Sequence, residues 1–303
     1  MLPLPLTAYE APDSLTEASR LARQPGARLI SGGTDLVPSM KHRIFTPSLL
    51  VSTRRIVPLR GITAHPDGAL DIGAGETLRS IGRNADVRRL FPALAAACGT
   101  VATPTIQAMG TLGGNLMLDT RCLYYNQPEG WRQALGGCLK CIGDICHVAP
   151  RGKGCYAAHS ADTVPALILA GAVALFHADT GDVEVPLSHL YQDDGIQWLT
   201  QTGVLVRVRV PKLSSPIAHR KLRARGAIDY GLLLTAVSRE PEGWSAVLSA
   251  VGPVPIRVQG ASADALAEAA FAAVQPLATH LQPATWRKKM VRVEVRRAAA
   301  TLA

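Results

Sequence analysis

The chain has 303 residues, 48% of them apolar, and a formal net charge of +9 from 32 Lys and Arg against 23 Asp and Glu. That length buries a sizeable core without cross-links and has room for two domains, while the longest apolar run, TVPALILAGAVALF at residues 163–176, is too short for the roughly 20 residues of a membrane-spanning helix. The charge alone suits a nucleic-acid partner, but the basic tail WRKKMVRVEVRR sets Met290, Val291, Val293 and Val295 among its charges, the pattern of a helix packed on one side.

The first residues, MLPLPLTAYEAPDS, carry no basic n-region and no signal-like apolar core, so the expected compartment is the cytoplasm. There, clustered cysteines read as ligands or redox groups rather than structural disulfides. DSLTEASRLARQ begins with an Asp or Ser cap and places Leu15, Ala18, Leu21 and Ala22 at helical spacing. ARLISGGTDLVPSMKHR predicts a short strand, a Gly-Gly turn and a capped helix, and ALDIGAGETLRSIGR repeats that order with a helix after Thr77. FPALAAACGTVATPTIQAMGTLGGNL predicts a helix, an irregular Thr/Pro stretch and a second Gly-Gly turn. A cysteine-rich segment follows, then a buried helix, the strand AVALFHA and the segment DVEVPLSHL; GVLVRVRVP alternates apolar and basic residues and stops at Pro211. Pro and Ser at residues 210–219 mark a boundary, beyond which HRKLRARGAIDYGLLLTAVS and GWSAVLSAVGPVPIRVQG read as strand and helix material, and SADALAEAAFAAVQ and the basic tail as helices. Helices and short strands mix without the regular alternation of a doubly wound sheet, so the fold class is α+β.

Two consecutive glycines, as in LISGGTDL and GTLGGNL, let the main chain approach a ligand closely, and successive N–H groups near a helix start suit an anion such as a pyrophosphate. One such turn is often only a turn; two suggest the two sides of one dinucleotide. The G-x-G-x-x-G fingerprint is absent, which disfavours a Rossmann nicotinamide site.

Five of the six cysteines fall between residues 122 and 155, while Cys98 stands alone in LAAACGT as a small buried apolar residue. Cys122, Cys138, Cys146 and Cys155 have 15, 7 and 8 residues between neighbours. The pair Cys138 and Cys141, with His147 beside Cys146, suits zinc; the irregular wider spacing suits an iron–sulfur cluster; redox or free thiols are the third option.

Six ordered motifs, SGGTDLVPSMK, DIGAGETL, GTLGGNL, SADTVPALILAGA, RKLRARGAIDY and GPVPIR, resemble the FAD-binding (medium) subunit of the molybdenum hydroxylases, the xanthine dehydrogenase and carbon monoxide dehydrogenase group. The resemblance implies a two-subdomain FAD-binding domain of the PCMH/vanillyl-alcohol-oxidase-like type over residues 1–215. A carbon monoxide dehydrogenase flavoprotein-type α+β domain would follow over residues 216–303. It implies that Leu29, Ser31, Gly32, Gly33, Thr34, Asp35 and Leu36, with Gly110, Thr111, Gly113, Gly114 and Asn115, wrap FAD and its pyrophosphate. Val101 and Ala102 would line the cofactor, Asp162 bind its adenosine side, and Leu205 contact the ring. Lys221 would sit near the flavin and stabilise its anionic reduced form, with Tyr230 as a neighbouring aromatic. Without the resemblance, Asp162 reads equally as a helix cap beside Thr163, Lys221 as a surface lysine and Tyr230 as a core residue.

About 40 residues separate Asn115 from Ala161, where ordinary members pass almost directly between the two motifs. That insertion, RCLYYNQ and SADT resemble the β subunit of 4-hydroxybenzoyl-CoA reductase. The resemblance implies a loop over residues 119–158 that holds a [4Fe–4S] cluster on Cys122, Cys138, Cys146 and Cys155, with Cys141 outside the set. It further implies a large molybdenum-cofactor subunit and a small [2Fe–2S] subunit, assembled as a dimer of heterotrimers, with ferredoxin as electron donor and neither nucleic acid nor membrane as partner. Electrons would pass through [4Fe–4S] and FAD toward reductive dehydroxylation of an aromatic acyl-CoA on another subunit. Two other readings are a hydroxylase flavoprotein delivering electrons to NAD or another acceptor, and a zinc-stabilised basic nucleic-acid-binding protein.

Overall fold

A computed structural model of the chain describes residues 2–178, 181–191, 203–226 and 228–302. Strands β1 (Ala8–Glu10), β2 (Ala27–Ile30) and β3 (Leu49–Ser52) form a parallel sheet in the order β1-β3-β2. Parallel neighbours need a crossover, and helix Leu15–Ala22 supplies the first. Ser14 caps it by accepting from the Glu17 N–H at 3.3 Å, and Ala18 and Leu21 join Leu49, Val51 and Leu175 in one buried cluster.

Strands β4 (Ile62–Ala64), β5 (Leu70–Gly73), β6 (Val173–Ala178), β7 (Gly181–Pro186) and β8 (Gly203–Val210) make an antiparallel sheet ordered β4-β5-β8-β6-β7. The alternation expected of β8 is present: Val206, Val208 and Val210 are buried, while Arg207 and Arg209 stand outside, 4.0 and 3.8 Å from Asp71 on β5. Helices Leu78–Arg83, Ala85–Leu90, Pro92–Thr100 and the buried Val164–Leu169 contribute with this sheet to the main core around Phe91 and Phe176. The Thr/Pro stretch holds one helical turn, Pro104–Gln107, because Thr103 Oγ1 accepts from the Ile106 N–H at 3.3 Å and a proline in the first turn forfeits no needed donor.

Strands β9 (Ile217–Leu222), β10 (Leu233–Glu240), β11 (Gly243–Ser249) and β12 (Ile256–Gly260) form an antiparallel meander. Helices Ala263–Ala273 and Ala284–Ala299 pack on it, with Val291, Val295 and Ala298 buried beside Leu266, Ala267 and Ala270. Around that basic helix, Arg292 lies 2.5 Å from Glu268, Arg296 2.7 Å from Asp264 and Arg297 2.9 Å from Glu294. The tail is a packed helix with paired charges, not an open cationic face, so the nucleic-acid reading loses its main support. Ile217, Ala236 and Val247 reach into the main core and seat this sheet on the rest of the molecule.

The cysteine-rich insertion leaves the body at Arg121 and re-enters at Ala158, where the two residues exchange backbone hydrogen bonds of 2.7 Å in each direction. Inside it, helix Glu129–Ala134 carries the buried Arg132, which donates to the carbonyls of Gln127 at 2.5 Å, Arg43 at 2.7 Å and His42 at 3.1 Å. The Leu123 N–H donates to the Thr279 carbonyl at 3.0 Å. Loop closure penalises such an excursion only slowly with length; its order comes from these anchors. Among the described residues no helix is long and apolar enough to cross a membrane.

Candidate cofactor site and cysteine cavity

The two glycine turns lie against each other. A Cβ at Gly32 would overlap the Met109 carbonyl oxygen and meet the Gly110 nitrogen at 3.1 Å, so the contact requires glycine. Gly33 takes a φ of 69°, in the left-handed region, which lets the chain turn from β2 into helix Leu36–Lys41. Between the turns and residues 53–60 opens a cavity of about 490 Å³, its mouth included, lined by Ser31, Gly32, Thr53, Arg54, Arg60, Gly75, Thr77, Met109 and Thr111 among others. Hydroxyls, glycine backbone and two arginines in one lining suit a phosphate-bearing ligand such as the pyrophosphate of FAD.

The two turns are unequal donors. In the second, the N–H groups of Gly110, Leu112, Gly113 and Asn115 donate to carbonyls at 2.7–2.9 Å, and that of Gly114 to Thr111 Oγ1 at 3.1 Å. Among the described residues, the N–H groups of Gly32, Gly33, Thr34 and Asp35 have no protein acceptor. Asn115 Oδ1 accepts from Thr163, from its N–H at 3.2 Å and its hydroxyl at 2.6 Å, which ties the second turn to the SADT segment. Thr34 Oγ1 lies beside Gly110, and Leu36 opens its helix.

The other expected site residues fall into separate groups. Leu29, on β2, packs beside the Ala18 cluster, and Leu205, on β8, is buried in the main core. Val101 borders that core; Ala102 adopts a φ of 40°, and its carbonyl accepts from the Ile228 N–H at 3.3 Å. Asp35 forms an ion pair with Arg121 at the neck of the insertion and accepts from the Tyr230 hydroxyl at 3.3 Å, while the Arg121 guanidinium lies 4.8 Å from the centre of the Tyr230 ring. First turn, insertion and the segment after β9 thus meet at one junction.

Asp162 and Lys221 are buried against each other, Nζ to Oδ1 2.5 Å, and Lys221 also donates to the Thr100 carbonyl at 3.1 Å. Burial pushes the Asp162 carboxyl up to about 6, against the opposing pull of Lys221 and Arg223. Thr163, not Asp162, occupies the cap position of helix Val164–Leu169, and it makes no side-chain cap bond. The capping alternative for Asp162 is therefore not realised, and Lys221 is not a surface residue.

In the insertion, Cys122, Cys138, Cys146 and Cys155 line a single cavity with Tyr124, Tyr125, Lys140 and His147, among others, whereas Cys141 does not. The backbones of Cys138 and Cys141 are bridged, with hydrogen bonds of 2.9 and 2.7 Å, so the C-x-x-C pair makes a tight turn that sends one cysteine to the cavity. Burial pushes the Cys122 and Cys155 thiols up, and each also feels Cys146. His147 Nε2 is hydrogen-bonded to the Gly137 carbonyl at 2.6 Å. Lys140 Nζ lies 2.5 Å from Asp119 and 4.8 Å from the centre of the Tyr125 ring. Among the described residues no three His, Cys, Asp or Glu side chains converge to hold one metal ion. A tetrahedral zinc needs donors at about 2.0–2.3 Å from one point, and the four cysteines line the cavity without such a convergence.

Residues within 53–60, Thr77 and Met109 line the cavity without being among the expected site residues; the sequence marks Thr77 only as a helix start. The one available signal was the Arg pair in VSTRRIVPLR, directly after β3.

A sequence profile for the FAD binding domain in molybdopterin dehydrogenase matches residues 5–213. The aldehyde oxidoreductase FAD-binding subunit PaoB of Escherichia coli K12 is 30% identical over 290 residues, 89% of this chain and 91% of that one. The carbon monoxide dehydrogenase medium chain of Hydrogenophaga pseudoflava is 27% identical over 279 residues, 89% and 83% of the two chains. Among solved structures, the reconstituted CO dehydrogenase from Oligotropha carboxidovorans matches with a TM-score of 0.77 at 22% identity over 99% of each chain. Quinoline 2-oxidoreductase from Pseudomonas putida 86 matches with a TM-score of 0.76 at 21% identity, over 99% and 98%. At that identity these two likenesses speak for the fold alone, and they bear out the α+β architecture.

Proposed function

Because the chain belongs to the family of FAD binding domains in molybdopterin dehydrogenases, we propose that it is the electron-transfer subunit of a molybdenum hydroxylase-type complex, holding FAD at the two glycine turns and a [4Fe–4S] cluster on Cys122, Cys138, Cys146 and Cys155. The observation that carries the cluster is the shared cavity: four of the five clustered cysteines line it, in a segment closed at its neck and joined through Arg121 to Asp35 of the first turn. When bound, a flavin that takes one or two electrons beside a one-electron cluster supplies the means to couple a single-electron carrier to a two-electron reaction. The four thiols supply the ligands, and Lys140, on the cavity wall, supplies positive charge against an anionic cluster. Gly32 to Asp35 offer unspent N–H groups to the dinucleotide, and Lys221 keeps a positive charge in the interior beside Asp162.

We assign residues 1–215 to the FAD-binding domain and 216–303 to the C-terminal domain, with a large molybdenum subunit and a small [2Fe–2S] subunit as partners in a dimer of heterotrimers. On the reductive reading, ferredoxin donates electrons and an aromatic acyl-CoA of the 4-hydroxybenzoyl-CoA kind is dehydroxylated on the large subunit. The 30% identity to an aldehyde oxidoreductase subunit favours a second reading, in which electrons flow outward to NAD or another acceptor. Iron, sulfide and FAD are to be quantified on the anaerobically purified complex. About four irons and one FAD per copy of this chain, beyond the iron of the small subunit, is the expected result; zinc without iron at this chain refutes the cluster. Reduction by ferredoxin but not NADH selects the reductive direction, and NAD reduction coupled to aldehyde oxidation selects the other.

A further inference from the structure

The diphosphate of a dinucleotide is doubly charged, and the elements expected to hold it leave that charge largely unmatched. The helices behind the two turns have 6 and 5 residues, too short for a useful macrodipole. The second turn has spent its amides on the protein's own acceptors.

The same cavity also carries cations in its lining. Arg54 and Arg60 both line it, and among the described residues neither forms an ion pair. Other arginines nearby do: Arg207 and Arg209 lie within 4.0 Å of Asp71. The carboxylate next to the lining residues Gly75 and Thr77 is Glu76, and it is committed elsewhere, accepting from the Gly61 N–H at 2.8 Å and the Ser80 hydroxyl at 2.7 Å. Arg60 donates to the Arg54 carbonyl at 2.8 Å, which holds the two residues on one turn. Two cations held together with no ion-pair partner among the described residues, in one cavity lining with hydroxyls and the Gly32 turn, favour an anion there.

We propose that Arg54 and Arg60 are the charge partners of the FAD diphosphate, clamping it against Ser31, Gly32 and Thr111. This rests on the reading that the glycine turns hold FAD.

The test is FAD titration of the full chain in its complex, followed by flavin fluorescence, with ADP and adenosine as displacers. In R54Q/R60Q the Kd for FAD rises roughly a hundredfold, about tenfold per charge-assisted contact. Its salt dependence flattens, ADP loses potency as a displacer while adenosine does not, and the iron content stays as in wild type. R54K/R60K, which keeps the charges, retains salt-dependent binding and carries the test if the glutamine variant misfolds. A glutamine variant within twofold of wild type with an unchanged salt slope overturns the proposal. A wild-type complex that takes up no FAD overturns the underlying reading as well, which separates the two failures.

Discussion

Lys221 and Asp162, 59 positions apart in sequence, form a buried ion pair with Nζ 2.5 Å from Oδ1, joining β9 to the segment that leads into helix Val164–Leu169. A buried pair adds little net stability, but breaking it leaves an uncompensated charge. Lys221→Met is therefore expected to lower stability by about 3–5 kcal/mol, whereas Lys221→Met with Asp162→Asn recovers most of the loss. Urea denaturation of the three proteins decides this; equal losses in the single and double variants would show that the pair is not the source.

Acid should destabilise the protein through its buried histidines. Burial lowers His159 to about 3 and His219 to about 4, so both stay neutral when folded, while an unfolded chain protonates them near 6.5. Their contribution is complete above pH 6.5 and is lost as the pH falls toward 4. Asp162 works the other way: its pKa is raised to about 6, so its contribution falls as the pH rises from about 4 to 6. Burial lowers His280 to about 4 as well, so with three histidines against one carboxyl, stability measured at pH 5 should lie below that at pH 7. His159→Gln should flatten the slope, and a profile that stays unchanged in this variant removes His159 as a cause.

The cysteine cavity makes a prediction within a single C-x-x-C turn. Cys138→Ser and Cys146→Ser should lose the iron assigned to this chain while FAD is retained, and Cys141→Ser should keep both, because Cys141 does not line the cavity. Iron analysis beside flavin absorbance reads the result; loss of iron in Cys141→Ser would reassign the ligand set.

Arg132 holds the insertion to the body through the carbonyls of His42 and Arg43 and braces it internally at Gln127. Arg132→Met leaves those acceptors without donors, at about 1–3 kcal/mol for each buried group left unsatisfied. The local cost should open the loop first, so limited proteolysis is expected to cut within residues 121–158 while β9 to β12 stay intact. Cleavage spread evenly over the chain would mean that Arg132 supports the whole fold.

Arg121→Met removes the ion pair to Asp35 at the junction of insertion and first turn. Expected are faster FAD release and a loss of about 1–3 kcal/mol, with little further effect from adding Asp35→Asn. Additive losses would indicate that the two side chains act independently.

Much of this was legible in the chain itself. Periodicity and caps located helix Leu15–Ala22 behind Ser14 and helix Leu78–Arg83 behind Thr77, since a cap and the apolar side it precedes are local features. The alternating valines and arginines of β8 specified a half-buried strand for the same reason. Motif order pointed to the flavoprotein family, and the resemblance, not spacing alone, implied the set of four cysteines.

Contacts between distant segments were not legible, because they depend on how sheets stack rather than on any local pattern. Nothing local tells that Asp35 meets both Arg121 and Tyr230, or that Lys221 is buried against Asp162. Nor does it tell that Arg54 and Arg60 line one cavity with Ser31, Gly32 and Thr111. The sequence by itself determined most of the elements and, through its ordered motifs, pointed to the family, because caps, periodicity and motif residues are short-range features. Only the tertiary structure decided which turn keeps its amides, which cysteines share a cavity and which arginines lack an ion-pair partner among the described residues, because each depends on how separate segments pack.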